Sequence, residues 1–113
     1  MRHDAAVYVG QMVDVARKIL ERARRLSRES YDSDEDVRLA LTHLVQTLGE
    51  ASRRVPETIR ASHPGIPWSE IIGMRHKIVH DYLTVDFDLV WDVATVEIPS
   101  LLPKLEELLD EEG

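Results

Sequence analysis

Six apolar residues, Val37, Leu41, Leu44, Leu48, Ala51 and Val55, follow one another at steps of four and three without a miss. Only an α-helix, with about 3.6 residues per turn, stacks such positions on one face; a strand would scatter them over both. A stripe this long must be covered, so the rest of the chain has to supply matching surfaces. Two further segments do. Ala5, Val9, Met12, Val13, Ala16, Ile19, Leu20 and Ala23 predict a first helix from about Asp4 to Arg28. Phe87, Val90, Trp91, Ala94, Ile98, Leu101, Leu102, Leu105 and Leu108 predict a last one, with a kink or break near Ile98 because Pro99 and Pro103 fall inside it.

The connections read as short. Ser30 to Asp36 breaks the first pattern, and Ser33, three residues before Asp36, reads as the N-cap of the second long helix. Pro56 suits a helix start, and Glu57–Ala61 predicts one short helix. Ser62 to Pro67 is a loop, and Trp68 to about His80 reads as a further helix, with Gly73 weakening it and permitting close packing. Thr84 to Asp86 offers a cap for the last helix. No strand-like alternation persists. The expected architecture is all-α, an antiparallel bundle of four main helices and a short one, in a single domain over residues 1–113.

The chain has no cysteine, which excludes disulfides, thiolate nucleophiles and cysteine-bound zinc. No apolar run reaches the ~18–20 residues of a membrane span, and MRHDAAVYVG carries no signal-peptide core, so a cytoplasmic chain without membrane contact is expected. The net charge of −7 argues against a protein that coats nucleic acid indiscriminately, but it is unevenly spread. Residues 1–60 hold 11 Lys/Arg against 10 Asp/Glu, whereas residues 61–113 hold 3 against 11. Arg17, Lys18, Arg22, Arg24, Arg25 and Arg28 form a basic cluster, readable as a solvated helix face or as a landing strip for phosphates. On the second reading, Arg17, Arg24, Arg25 and Arg28 are the RNA-binding candidates.

Chemistry concentrates in Arg75-His-Lys-Ile-Val-His80-Asp-Tyr82. Arg75 is permanently cationic and grips phosphate bidentately, His80 titrates near neutrality, and Tyr82 adds a phenol. These parts suffice to cut RNA without a metal: a base for the ribose 2′-hydroxyl proton and a guanidinium for the charge growing on phosphate. On spacing alone, one arginine and one histidine on a helix are most often a surface charge and a satisfied polar group. On an ideal helix, Arg75 and His80 would lie ~140° apart, which favours a site completed by a second copy unless the helix ends near His80. His76 and His80 share a face at i and i+4, but no third zinc ligand accompanies them. His43 and His63 read as capping or surface residues, and Trp68 and Trp91 as core or interface anchors. No cofactor and no metal are called for.

Arg75, four residues, His80, one residue and Tyr82 match the Arg-x4-His-x-Tyr motif of HEPN proteins, and the chain resembles the HepT toxins among them. Leu48-Gly-Glu-Ala51, Pro64-x-Ile-Pro-Trp68, Ile71-Ile-Gly-Met-Arg75, Val85-Asp86 and Val90-Trp91-Asp92 extend the similarity over essentially the whole chain. The resemblance implies a HEPN bundle forming a homodimer, with the active cleft at the dimer interface. It implies a metal-independent endoribonuclease acting on tRNA or mRNA, in which Arg75 stabilises phosphate and His80 is the acid–base catalyst. Tyr82 matches the tyrosine that a partner nucleotidyltransferase antitoxin, MntA, modifies with AMP groups; His76 and Asp81 would support the site. A non-catalytic subunit that regulates such a nucleotidyltransferase is the alternative. The residue after the motif arginine is commonly polar, such as asparagine; His76 stands there instead and adds a titratable group. The acidic balance of residues 61–113 is unusual for a ribonuclease and directs the expected RNA path towards the basic cluster of the first helix.

Overall fold

The computed structural model describes residues 3–79 and 84–112. In chain order these form α1 (His3–Arg24), α2 (Arg28–Asp32), α3 (Glu35–Arg54), α4 (Glu57–Ser62), α5 (Trp68–Ile72), α6 (Met74–Ile78), α7 (Phe87–Asp92), a π-helical turn (Val93–Glu97) and α8 (Ile98–Glu112). The only β feature among the described residues is a single antiparallel bridge between Val79 and Val85. The expected all-α bundle is what forms.

The three stripes meet in one core. α1 packs against both α3 and α8. Val9, Met12, Ala16 and Ile19 are sealed from water against Leu41, Val45 and Leu48 and against Ile98, Leu105 and Leu108. Each buried aliphatic side chain contributes about 1.5–3 kcal/mol, so this shared core dominates the stability. One ion pair, Arg17 to Glu106 at 2.7 Å, adds a surface link between α1 and α8.

Several expected boundaries shift for local reasons. α1 stops at Arg24, four residues short, because Ser27 starts a new helix: its hydroxyl accepts from the Ser30 backbone N–H while the Ser30 hydroxyl accepts from the Ser27 N–H. The basic cluster is therefore split, with Arg28 on α2. The cap of α3 is Asp34, whose carboxylate accepts from the Val37 N–H, and Ser33 instead closes α2. The single helix expected from Trp68 to His80 is two, broken at Gly73, the residue with the least helical preference. The second ends at Ile78, because Val79 is extended and the Ile78 carbonyl accepts from the Asp86 N–H at 2.7 Å.

The expected distortion near Ile98 is the π turn just before it. Pro99 has no N–H to offer the Thr95 carbonyl, and its ring crowds that turn. The chain answers by widening: the Ile98 N–H donates to Val93, five residues back. Thr95 helps by donating its hydroxyl to the Trp91 carbonyl at 2.8 Å. The extra residue per turn lets both Val93 and Ile98 face the core.

Tyr31 lies within the stretch that reads as a break in the sequence, yet it is fully buried. Its ring is tilted against Trp91, with centroids 4.8 Å apart, and its hydroxyl donates to the Phe87 carbonyl at 2.8 Å. Burial pushes its pKa up to about 12. Arg28 bridges Asp32 and Asp88, and Arg38 stacks 5.1 Å from the centroid of the Phe87 ring. Together these clasp α2 to the start of α7.

Trp68 is buried and donates its indole N–H to the His63 carbonyl at 2.9 Å. His63 caps α4, its Nδ1–H donating to the Ile59 carbonyl at 2.9 Å, while Nε2 lies 3.1 Å from Glu111 at the end of α8. The Ile59 bond, and after it the Glu111 carboxylate, hold its pKa above the ordinary 6.5. A raised folded-state pKa stabilises the fold fully below about 6.5 and loses that contribution as pH rises through the folded value. Glu111→Gln is therefore expected to lower the melting temperature relative to the parent chain near pH 5.5 and to leave it unchanged near pH 9, for a loss of no more than about 1 kcal/mol. Thermal melts at both pH values check this; a deficit that is the same at both removes the His63–Glu111 coupling.

Candidate active site

The motif arginine is positioned by the crossing of α3 with α5 and α6. Gly49 makes that crossing close: a Cβ added there would lie 2.9 Å from the Ile71 carbonyl oxygen, which is backbone and cannot yield. Gly73, where close packing is expected, is also tight, a Cβ there lying 3.1 Å from the Ser69 carbonyl oxygen, but the contact between helices falls at Gly49 and Gly73 breaks the helix. With α5 seated on α3, α6 presents Arg75 and His76 to solvent. They line a cleft of about 240 Å³ whose other walls are Gln46, Gly49, Glu50 and Arg53 of α3, with Ile72 and Gly73.

Behind α6, Met74 and Lys77 face a different groove, of about 260 Å³, lined with Val45, Leu48, Leu89 and Leu101. The short helix therefore divides the Arg75 cleft from a groove of mixed lining, in which Glu70, Lys77, Glu97 and Lys104 stand among the apolar side chains.

Glu50 is the carboxylate of the charged cleft. Its hydrogen bonds from Arg53, and then the charges of Arg53, Arg54 and Arg75, hold it below the usual carboxylate range. It remains ionised at neutral pH, half exposed, with Arg53 Nη2 at 2.5 Å and Arg54 Nε at 3.5 Å. Among the described residues Arg75 has no ion pair, so its guanidinium is available to a ligand.

His80, Asp81 and Tyr82 lie outside the described residues. On either side of them, Val79 and Val85 are bridged, and Asp86 caps α7 by accepting from the Leu89 N–H at 2.9 Å. α6 ends at Ile78, short of His80, so the helix-end condition under which a single copy could hold the site is met. The structure brings Arg75 and His76 together. It keeps Arg17, Arg24, Arg25 and Arg28 off the described walls of the cleft: Arg17 pairs with Glu106, Arg25 with Glu21, and Arg28 with Asp32 and Asp88. Among the described residues no three His, Asp or Glu side chains gather closely enough to hold a metal ion.

Glu50 and Arg53 escape the sequence reading as site residues. Their i, i+3 spacing is visible in the chain, and Glu50 stands within the family segment Leu48–Ala51. Nothing in a linear pattern, however, shows that the end of α3 faces α6.

An all-α bundle with a motif arginine exposed on a short helix beside an arginine-lined cleft fits the HEPN class. Residues 12–108 match the family model described as "Ribonuclease HepT-like", and the chain belongs to that family. It is 32% identical over 108 residues to the "Probable ribonuclease HepT" of Thermococcus cleftensis, covering 96% of this chain and 98% of that protein. It is 30% identical over 105 residues to a protein of Caldanaerobacter subterraneus subsp. tengcongensis named "Putative RNase TTE0752", covering 93% of this chain and 94% of that one. No solved structure matches the chain.

Gly49→Ala forces a methyl group into the Ile71 carbonyl. The expected outcome is a loss of about 1–3 kcal/mol in denaturant unfolding, as α5 is pushed off α3. Unchanged stability would show that the crossing tolerates more space than its geometry allows.

Proposed function

We propose that this chain is a metal-independent endoribonuclease acting on tRNA or mRNA, and the toxin half of a HepT/MntA toxin–antitoxin pair. The observation that carries the reading is Arg75, unpaired among the described residues, on the wall of an open cationic cleft. It does so in a chain of the HepT-like family, whose relatives are named as ribonucleases.

Arg75 grips a phosphate oxygen and stabilises the charge that grows there during attack. His80 takes the proton of the neighbouring ribose 2′-hydroxyl. The 2′ oxygen bonds to phosphorus, the bond from phosphorus to the 5′ oxygen breaks, and a protonated imidazole returns a proton to that leaving oxygen. His76, beside Arg75 in the cleft, brings a second titratable ring to this chemistry, and Asp81 supports it. No redox step and no co-reactant are required.

We further infer that two copies assemble with their clefts at the shared interface, as in the HepT toxins this chain resembles. In this reading the nucleotidyltransferase antitoxin attaches AMP to Tyr82. Added phosphate and adenine would occupy a cationic cleft and repel a second polyanion, which silences the enzyme.

Purified protein with total tRNA in the presence of a chelator is the direct test. Cleavage is expected from the parent chain, with Arg75→Ala and His80→Ala each slowing it by roughly 10²–10⁴. Equal cleavage by variants and parent overturns the assignment; tight binding to the nucleotidyltransferase with no cleavage identifies a non-catalytic regulatory subunit instead. Intact mass after co-expression with that partner should show AMP adducts that vanish in Tyr82→Phe. Adducts that persist in Tyr82→Phe take the switch away from this residue.

A further inference from the structure

The cationic excess of the cleft has a second source besides Arg75. Arg53 lines the same cleft from α3, with its side chain well exposed. Glu50 holds it through two donors, Nη2 at 2.5 Å and Nε at 3.4 Å. A guanidinium carries five N–H donors, so three remain, Nη1 carrying two of them. The carboxylate orients the group on the cleft wall without exhausting it. Glu50 is also the only carboxylate among the described lining residues, and it is shared by Arg53 and Arg54 while lying near Arg75. Three guanidiniums around one carboxylate leave a local excess of positive charge.

Of the arginines on and between α1 and α2, Arg17, Arg25 and Arg28 each face an acidic partner of their own, and Arg28 faces two, whereas Arg22 and Arg24 make no ion pair among the described residues. Exposed pairs of this kind are weak individually, but they cancel the local field that a polyanion would otherwise meet.

We propose that Arg53 is a second phosphate-binding residue of the cleft. It takes the phosphodiester next to the one at Arg75 on the same RNA strand, with Glu50 holding its guanidinium in place. The strand therefore runs along the C-terminal end of α3 and across α6, rather than along α1. This rests on the ribonuclease reading for the identity of the polyanion, and it deepens that reading by giving the strand a direction. Two guanidiniums on neighbouring helices suit consecutive phosphates of one strand, because each oxygen pair of a phosphodiester accepts a bidentate fork.

The test is binding of a short, labelled 2′-O-methyl RNA, which has no free 2′-hydroxyl to attack, to the assembled protein over a salt series. Arg53→Ala is expected to weaken binding roughly tenfold and to flatten the slope of log K against log salt by about 0.7, the share of one single-strand phosphate. Arg53→Lys should keep the slope while losing part of the affinity, because it retains the charge but not the fork. With cleavable RNA, Arg53→Ala should raise KM and leave kcat nearly unchanged. Parent-like slope and KM in Arg53→Ala overturn the proposal, as does a slope that falls instead in Arg17→Ala, Arg24→Ala, Arg25→Ala or Arg28→Ala. Cleavage that depends on Arg75 but not on Arg53 removes this inference alone. An Arg53-dependent salt slope in a protein that cleaves no RNA removes the ribonuclease reading and leaves the phosphate site.

Discussion

Burial of the α1 stripe is the interaction from which the rest of the architecture follows. Val9, Met12, Val13, Ala16 and Ile19 are removed from water by α3 on one side and α8 on the other. A chain of 113 residues has little apolar surface to spare, so one helix shared between two neighbours makes economical use of it. Everything else is fitted to that arrangement. The π turn exists because Pro99 interrupts the helix that has to keep Val93 and Ile98 on the covered side. α2 exists because Tyr31 closes the end of the same core and ties it to Phe87.

On this scaffold the functional elements are short and held from outside themselves. α5 and α6 have five residues each, too few to be stable alone. They persist because Trp68, Ile71 and Ile78 are buried and because Gly49 allows the Ile71 backbone to rest on α3. The bridge between Val79 and Val85 and the bond from Asp86 to Ile78 fix the two ends of the segment carrying His80 and Tyr82. The Tyr31 clasp holds the start of α7 from the other direction. Arg75 and the described flanks of the motif are thereby supported by groups distant in sequence.

Charge follows a parallel division. The acidic excess of residues 61–113 is carried largely by α7, α8 and the turn between them. The cleft, built from the end of α3 and from α6, is locally cationic within a chain of net charge −7. On the proposed reading, a polyanion repelled by the acidic α7–α8 face is drawn to this arginine-lined cleft, which favours selective capture over general coating.

By itself the sequence determined the helical class, the three long stripes and the motif, because helical periodicity and residue chemistry are local properties. It also carried the family segments that link Arg75, His80 and Tyr82 to HepT-like proteins. The tertiary structure decided where helices stop and which side chains meet. Ser27 and Asp34 prevailed as caps over Ser33, and Gly73 cut one expected helix into two, the second of which Val79 ends. Gly49, unremarked as a packing residue, became the point of closest approach. Tyr31, in a stretch that reads as a break, became a core anchor. Arg53 joined Arg75 although 22 positions separate them. Such pairings depend on which helices cross and at what distance, and that is set by the packing of the whole core, which no single segment encodes.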